Sequence, residues 1–391
     1  MVFHPDMGYV QDGVDLADID LYKTTSQPFG QASILPPFSY QSKVFSDLED
    51  EKLWTRNWIA IGLTHEIPNP GDLLPYTVGH HGIHVQRMQD GSLIGRFNKA
   101  QHGGCRAVPL QCQTGKKTKC SFTSCGYSLD RNVIRVEEIG ENTPAMHQYL
   151  GLTPERLLPV SVAVWNSIVF INLEHSCSGI SNSIPILPGS INSMLSANLT
   201  LQSSEWFRCK SNWKFAARSF FDNQDLSKDI SPSHNPRLKN GFLTTDLRTD
   251  EIGINSKENL ADVRLLWLFP NLLLAIHRSF VFCVIMQPVS MGECILRTTL
   301  LTKGKSSSTG DDLNLPTDWS SYIQSALDRA QAMQKQADKL TAPGALKVTN
   351  EMIPIETSEA GYEFHQFLVK LLEVRHEYHW NAPLFSPNIR R

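Results

Sequence analysis

The sequence predicts an α+β protein, with a small antiparallel β domain and a larger mixture of strands and long helices. Three observations carry this. From Trp58 to Val169 the apolar runs are short and turn signals separate them. From Trp319 to Leu340 the chain reads as one long helix, filled with Ala, Gln and Lys. The 391 residues suggest two or three domains at about 150 residues each.

Taken in order, a first helix is predicted over Ser46 to Asn57. Strands follow at Trp58–Leu63, His84–Arg87, Leu93–Phe97, Val160–Val164 and Ile168–Leu173. Pro68-Asn69-Pro70-Gly71, Asp90-Gly91 and Gly103-Gly104 punctuate them, and Asp-Gly between two apolar runs is a strong hairpin signal. Leu265 to Met286 is the most apolar stretch, but Pro270, His277 and Arg278 interrupt it. It reads as two buried strands and a turn, because a membrane span needs about 20 unbroken apolar residues. Lys303 to Asp318 is a Ser-, Gly- and Asp-rich loop; Asp318 is placed to cap the long helix and Pro343-Gly344 to end it. A last helix over Ser358 to Glu373 carries Phe364, Phe367, Leu368, Leu371 and Leu372 on one stripe.

Lys and Arg number 36 and Asp and Glu 39, a net charge of −3, so the chain has no electrostatic footprint for nucleic acid. Its first thirty residues contain no apolar signal core, which leads to the expectation of a soluble, cytoplasmic protein with no membrane partner. P-loop, G-x-G-x-x-G and G-x-S-x-G motifs are absent, which removes the main support for nucleotide binding and serine hydrolysis. Of eight cysteines, Cys105, Cys112, Cys120 and Cys125 fall within twenty-one residues, while Cys177, Cys209, Cys283 and Cys294 are scattered. Without a secretory signal, a local cluster reads as metal binding before disulfides. His80-His81-x-x-His84 reads as surface decoration of the β domain, and His365, His376 and His379 as polar residues near the C-terminus.

Several segments together resemble the α subunit of Rieske-type non-haem iron oxygenases, the ring-hydroxylating and demethylating enzymes. These are Phe45–Trp58 (FSDLEDEKLWTRNW), the Glu66–Asp72 turn, Val85–Asn98 (VQRMQDGSLIGRFN), Trp165–Leu173 (WNSIVFINL), Asn212-Trp213-Lys214 and Trp267–Leu272 (WLFPNL). The resemblance implies a Rieske-like β domain over 58–173 with a Cys-rich tip at 102–125. It places this domain inside a helix-grip, START-like domain made of 1–57 and 174–391, in which a curved antiparallel sheet wraps a long helix. It also implies a [2Fe–2S] cluster with two Cys and two His ligands, feeding a mononuclear iron held by two His and a carboxylate. Trimeric rings and a reductase partner come with the family.

The ligand motifs depart from that pattern. Aligned on Asn98, the first cluster Cys falls on Ala100, while His102 matches the family His. In the second loop Cys120 matches, but the second His falls on Thr123. An ordinary Rieske centre is therefore not expected. The same loops have gained Cys105, Cys112 and Cys125, so His102, Cys105, Cys112, Cys120 and Cys125 form a candidate metal set. Zinc suits such a tetrahedral S/N set; unligated thiols, a disulfide or an unconventional Fe–S cluster are the alternatives. At the iron site Asp222 matches the Asp that bridges the two centres, but the two His positions hold Asp225 and Ile230. His234 is close enough to stand in for the second His, and Asp328, eight residues before Gln336, has the spacing of the carboxylate. Asp225, His234 and Asp328 would form a weak remnant site for a hard divalent ion; the alternative is solvated helix-end and loop residues.

Three functions follow. The first is a non-catalytic α-like subunit that completes a ring with an active relative, shapes its entrance or docks a reductase. The second is an active monooxygenase or dioxygenase, a hydroxylase or demethylase, with unusual ligands. The third is a small-molecule binding protein, with Leu266, Phe269, Leu273, Phe280 and Phe282 lining an apolar cavity or serving as ordinary core.

Overall fold

A computed structural model of the chain describes residues 9–79, 81–97, 159–174, 177–184, 193, 195, 199–220, 242–246, 263–277, 279–303, 319–340 and 359–373. Its contacts divide the chain into two compact units. One holds the described residues up to Leu53 and from Ser181 onward, the other those from Trp54 to Ile180.

The N-terminal part of the larger unit opens with a two-stranded ribbon, β1 (Val10–Gln11) and β2 (Val14–Asp15). Helix α1 spans Lys43–Glu49 and continues as a π-helical turn over Asp50–Trp54. It starts before the predicted Ser46 because the capping serine is Ser42, whose Oγ accepts from the Phe45 amide at 3.0 Å. Phe45, Leu48 and Glu49 are its buried residues.

The smaller unit is a six-stranded antiparallel sheet, in the order β3 (Ile59–Leu63), β8 (Ile168–Asn172), β7 (Pro159–Trp165), β6 (Leu93–Phe97), β5 (His81–Arg87), β4 (Leu73–Val78). Gly71 sits at φ +94°, a conformation that favours glycine, and its amide donates to Arg87 O at 2.7 Å. The Asp90-Gly91 turn joins β5 to β6; Asp90 Oδ1 accepts from the Ser92 amide at 2.9 Å and Gly91 adopts φ +84°. The predicted Cys-rich tip lies between β6 and β7 in sequence and outside the described residues; Gly95 and Arg96 of β6 pair with Val160 and Pro159 of β7. One expectation is corrected here. His84 is fully buried, not a surface residue, because β5 lies between β4 and β6 with residues 82–85 all buried.

The larger unit carries a second six-stranded antiparallel sheet. Its order is β10 (Phe242–Asp246), β11 (Arg264–Leu268), β12 (Leu272–Ile276), β13 (Phe280–Ser290), β14 (Glu293–Lys303), β9 (Leu199–Cys209). The stretch read as two strands is in fact three, β11 to β13, because a turn forms at Phe269–Asn271 and the chain reverses again before Phe280, where the His277 amide donates to Phe280 O.

Three helices of this unit matter for the site: α2 (Trp213–Ser219), α3 (Trp319–Leu340) and α4 (Glu359–Glu373). By strand register Trp267, Phe280 and Phe282 share one sheet face, and the helices pack there. Trp319 of α3 stacks on Phe282 at 4.0 Å, and Phe364 of α4 meets Trp267 at 4.6 Å. Long helices laid over one face of an antiparallel sheet make this a helix-grip arrangement. The buried stripe of α4 runs through Phe364, His365, Leu368, Val369 and Leu372, so the predicted stripe is turned slightly and takes in a histidine.

No described helix is long and apolar enough to cross a membrane.

Candidate functional site

Helix α2 begins with Asn212-Trp213-Lys214, and all seven of its residues are buried. A helix buried all round is ordinarily apolar, yet this one carries Lys214 and Arg218. Its polar groups therefore need partners inside the fold.

The N-terminus is held from three directions. Asn212 caps the helix, its Oδ1 accepting from the Lys214 amide at 3.1 Å. Its own amide donates to Gln334 Oε1 of α3 at 2.8 Å, and its Nδ2 donates to Met291 O at 2.7 Å and Tyr40 O at 3.3 Å. Ser211 Oγ donates to Ala330 O at 3.1 Å. Gln334 Nε2 and Gln41 Nε2 both donate to Asp338 Oδ1, at 2.9 and 2.7 Å. At the other end, Ser219 O accepts from Arg329 Nε and Nη2 at 3.3 and 3.0 Å, and Phe220 O from Tyr322 Oη at 3.4 Å. Those bonds satisfy carbonyls that a helix end leaves over.

Lys214 Nζ donates to Glu49 Oε1 at 2.8 Å, with both side chains almost wholly buried. The ammonium lies 5.2 Å from the Tyr40 and Phe45 ring centroids and 5.5 Å from that of Trp213, within cation–π range. Trp213 Nε1 donates to Glu49 Oε2 at 3.5 Å. Burial pushes the Glu49 carboxyl up and the Lys214 ammonium down, each opposed by its partner's charge. The pair joins α1 to α2.

His365 joins α4 to the same cluster. Its Nε2 and Tyr40 Oη share a hydrogen bond of 3.3 Å, and Tyr40 stacks on Phe215 at 4.0 Å. Burial, and then the nearby Arg218 charge, hold the imidazole well below its ordinary pKa. The sign of the effect on stability follows. Below about pH 6.5 the unfolded chain takes up a proton that folded His365 refuses, so stability is full above that pH and is lost as pH falls. Melting temperatures at pH 7.5 and 5.5 are expected to differ less in His365→Gln than in the unaltered chain.

Of the residues singled out from sequence, His102, Cys105, Cys112, Cys120, Cys125, Asp222, Asp225 and His234 lie outside the described residues. So do His376 and His379. Asp328 is described, and it stands on the exposed face of α3, where its Oδ1 accepts from Gln324 Nε2 at 2.9 Å. Gln336, which set its spacing, is exposed as well. The buried glutamine is Gln334, and eight residues before it stands Ala326, fully buried. Leu266, Leu273, Phe280 and Phe282 are buried in aromatic and aliphatic core, while Phe269 packs edge-on to Phe367 at 4.2 Å. The cluster of Glu49, Lys214, Arg218 and His365 escaped the sequence reading. A cation at each end of the short WKFAARS run was the available signal.

The mononuclear iron that the resemblance implies can be tested on these positions. The inward face of α3 presents Ala326, Ala330 and Gln334, with no carboxylate. Helix α2 buries the Arg218 guanidinium, four positions before Asp222 in sequence. Of the candidate iron ligands only Asp328 is among the described residues, and it is exposed. Among the described residues no three His, Cys, Asp or Glu side chains gather into a metal-binding group.

No family model matches the chain. Curated relatives do. It is 23% identical over 188 residues to the chlorobenzene dioxygenase subunit alpha of Cupriavidus sp. (strain PS12), covering 47% of this chain and 41% of the relative. It is 25% identical over 218 residues to the glycine betaine monooxygenase oxygenase subunit of Chromohalobacter salexigens, covering 56% and 46%. The match thus spans less than half the length of these relatives. Among solved structures, the quaternary ammonium Rieske monooxygenase CntA in complex with γ-butyrobetaine superposes with a TM-score of 0.58 at 15% identity, covering 90% of this chain and 98% of that one. Naphthalene 1,2-dioxygenase from Rhodococcus sp. bound to indole gives 0.58 at 12% identity, over 94% and 100%. The chain is similar in sequence to Rieske oxygenase α subunits and shares the fold of the solved Rieske oxygenases, a β unit and a helix-grip sheet in one polypeptide.

Proposed function

We propose that this chain is an α-like subunit with eroded metal centres, serving as a structural or regulatory member of a hetero-oligomeric ring with an active Rieske oxygenase α subunit. One contrast carries the reading. Helix α2 is buried with its Asn212 cap and Glu49–Lys214 pair, while Asp328, the carboxylate with the family spacing, stands on the exposed face of α3. The motifs point the same way: Ala100, Thr123 and Ile230 stand at ligand positions and cannot serve as the missing Cys and His. In such a subunit Asp222 is retained from the link between centres, and Asp225, His234 and Asp328 form at most a weak remnant. At the Cys-rich tip, His102, Cys105, Cys112, Cys120 and Cys125 hold a structural zinc in place of the [2Fe–2S] cluster. The partners are then the active α subunit and the reductase that serves it.

Co-expression with an active α subunit, followed by native mass spectrometry, tests the assembly. Mixed rings containing both chains are expected. A homo-oligomer that excludes every such relative overturns the proposal.

A further inference from the structure

Two of the scattered cysteines meet in the larger unit. Cys209 is the last residue of β9 and Cys294 the second of β14, and the antiparallel ladder places them directly opposite each other. Directly opposed residues have Cβ atoms about 4.5–5.5 Å apart, and their Cα spacing falls inside the range a disulfide spans. Both are free thiols and buried.

The pair also has a structural address. The chain passes from Cys209 through two residues to Asn212, which caps α2 and donates to Met291 O in the turn just before β14. The thiols therefore sit at the seat of α2. They lie at the open end of the ladder, with Arg208, Lys210 and Gly292 exposed around them, one layer below solvent. β9 is an edge strand of this sheet and pairs only with β14 among the described strands.

We propose that Cys209 and Cys294 form a reversible dithiol–disulfide site that clips edge strand β9 to β14 and locks the seat of α2 when a small hydroperoxide oxidises it. The oxidant has to be small because both sulfurs are buried. Cys209 Sγ attacks a peroxide oxygen; an S–O bond forms, the O–O bond breaks, and the departing oxygen takes the Cys209 thiol proton and leaves as water. Cys294 Sγ then attacks the sulfenic sulfur; the S–S bond forms and the second oxygen leaves as water with the Cys294 proton. Two thiols and one hydrogen peroxide thus give one disulfide and two waters. The neighbouring Cys209 and burial both push the Cys294 thiol up, which suits it to the second step, as the protonated partner. A dithiol reductant reverses the reaction.

The test uses the full chain, treated with hydrogen peroxide, blocked by alkylation under denaturing conditions and mapped by non-reducing peptide mass spectrometry. A cross-linked peptide joining Cys209 to Cys294, lighter by two hydrogens and lost on reduction, is expected. Hydrogen exchange of the β9 amides should slow in the oxidised sample and return to its starting rate on reduction. Recovery of both residues as alkylated thiols, or as sulfinic acids, overturns the proposal. A cross-link without slower exchange in β9 overturns the clip.

Discussion

Glu49→Ala is expected to destabilise the larger unit by about 3–5 kcal/mol, the cost of leaving a buried charge without its partner. The geometry makes the case a severe one. Lys214 is fully buried, its ammonium lies 2.8 Å from Glu49 Oε1, and the rings of Tyr40, Phe45 and Trp213 lie within 5.5 Å of it. Without the carboxylate the ammonium is left buried beside aromatic rings, which favours loss of its proton or opening of the helix. The same removal takes the acceptor from Trp213 Nε1. Changing both partners to apolar residues of similar size, Glu49→Leu with Lys214→Met, is expected to cost far less, because no charge is then left behind. Urea unfolding followed by tryptophan fluorescence measures both. A single variant as stable as the unaltered chain would show that the pair is not buried in this way.

Phe364→Ala is the second large effect, about 3–5 kcal/mol for a buried phenylalanine whose cavity cannot collapse. Its ring is wedged between Trp267 at 4.6 Å, Trp213 at 5.9 Å and Phe269 at 6.1 Å. Those three come from the sheet, α2 and a turn, so relaxation of one wall is resisted by the others. The loss should appear in near-ultraviolet circular dichroism as well as in the unfolding midpoint, since two tryptophans line the void. Because Trp213 touches both Phe364 and Glu49, the two substitutions are expected to be non-additive. A double-mutant cycle that sums within error would place the two sites in separate networks.

These elements differ in how far the sequence reveals them. Helix α3 matches its predicted span to the residue, because the apolar positions keep one period from Trp319 to Leu340. The Asp90-Gly91 hairpin and the Pro70-Gly71 turn are equally legible, since their chemistry is local. Helix α2 is not, because Lys214 and Arg218 read as solvent-facing until Glu49, 165 positions away, is brought beside Lys214. His84 misleads for the same reason: its burial depends on neighbouring strands, not on its own alternation. On α3, Asp328 and Gln336 are exposed and Gln334 is buried, a difference set by packing that spacing alone does not reveal. The resemblance reaches the fold through many short segments at once, whereas each ligand hangs on a single position. The segments that carry most of those positions, 98–158 and 221–241, lie outside the described residues.

The erosion of the metal centres is tested most directly by elemental analysis and acid-labile sulfide on anaerobically purified protein. A subunit of the kind proposed yields no labile sulfide and no stoichiometric iron, with about one zinc per chain at the Cys-rich tip. About two irons and two sulfides per chain would mean an intact [2Fe–2S] cluster on unexpected ligands, and would contradict it.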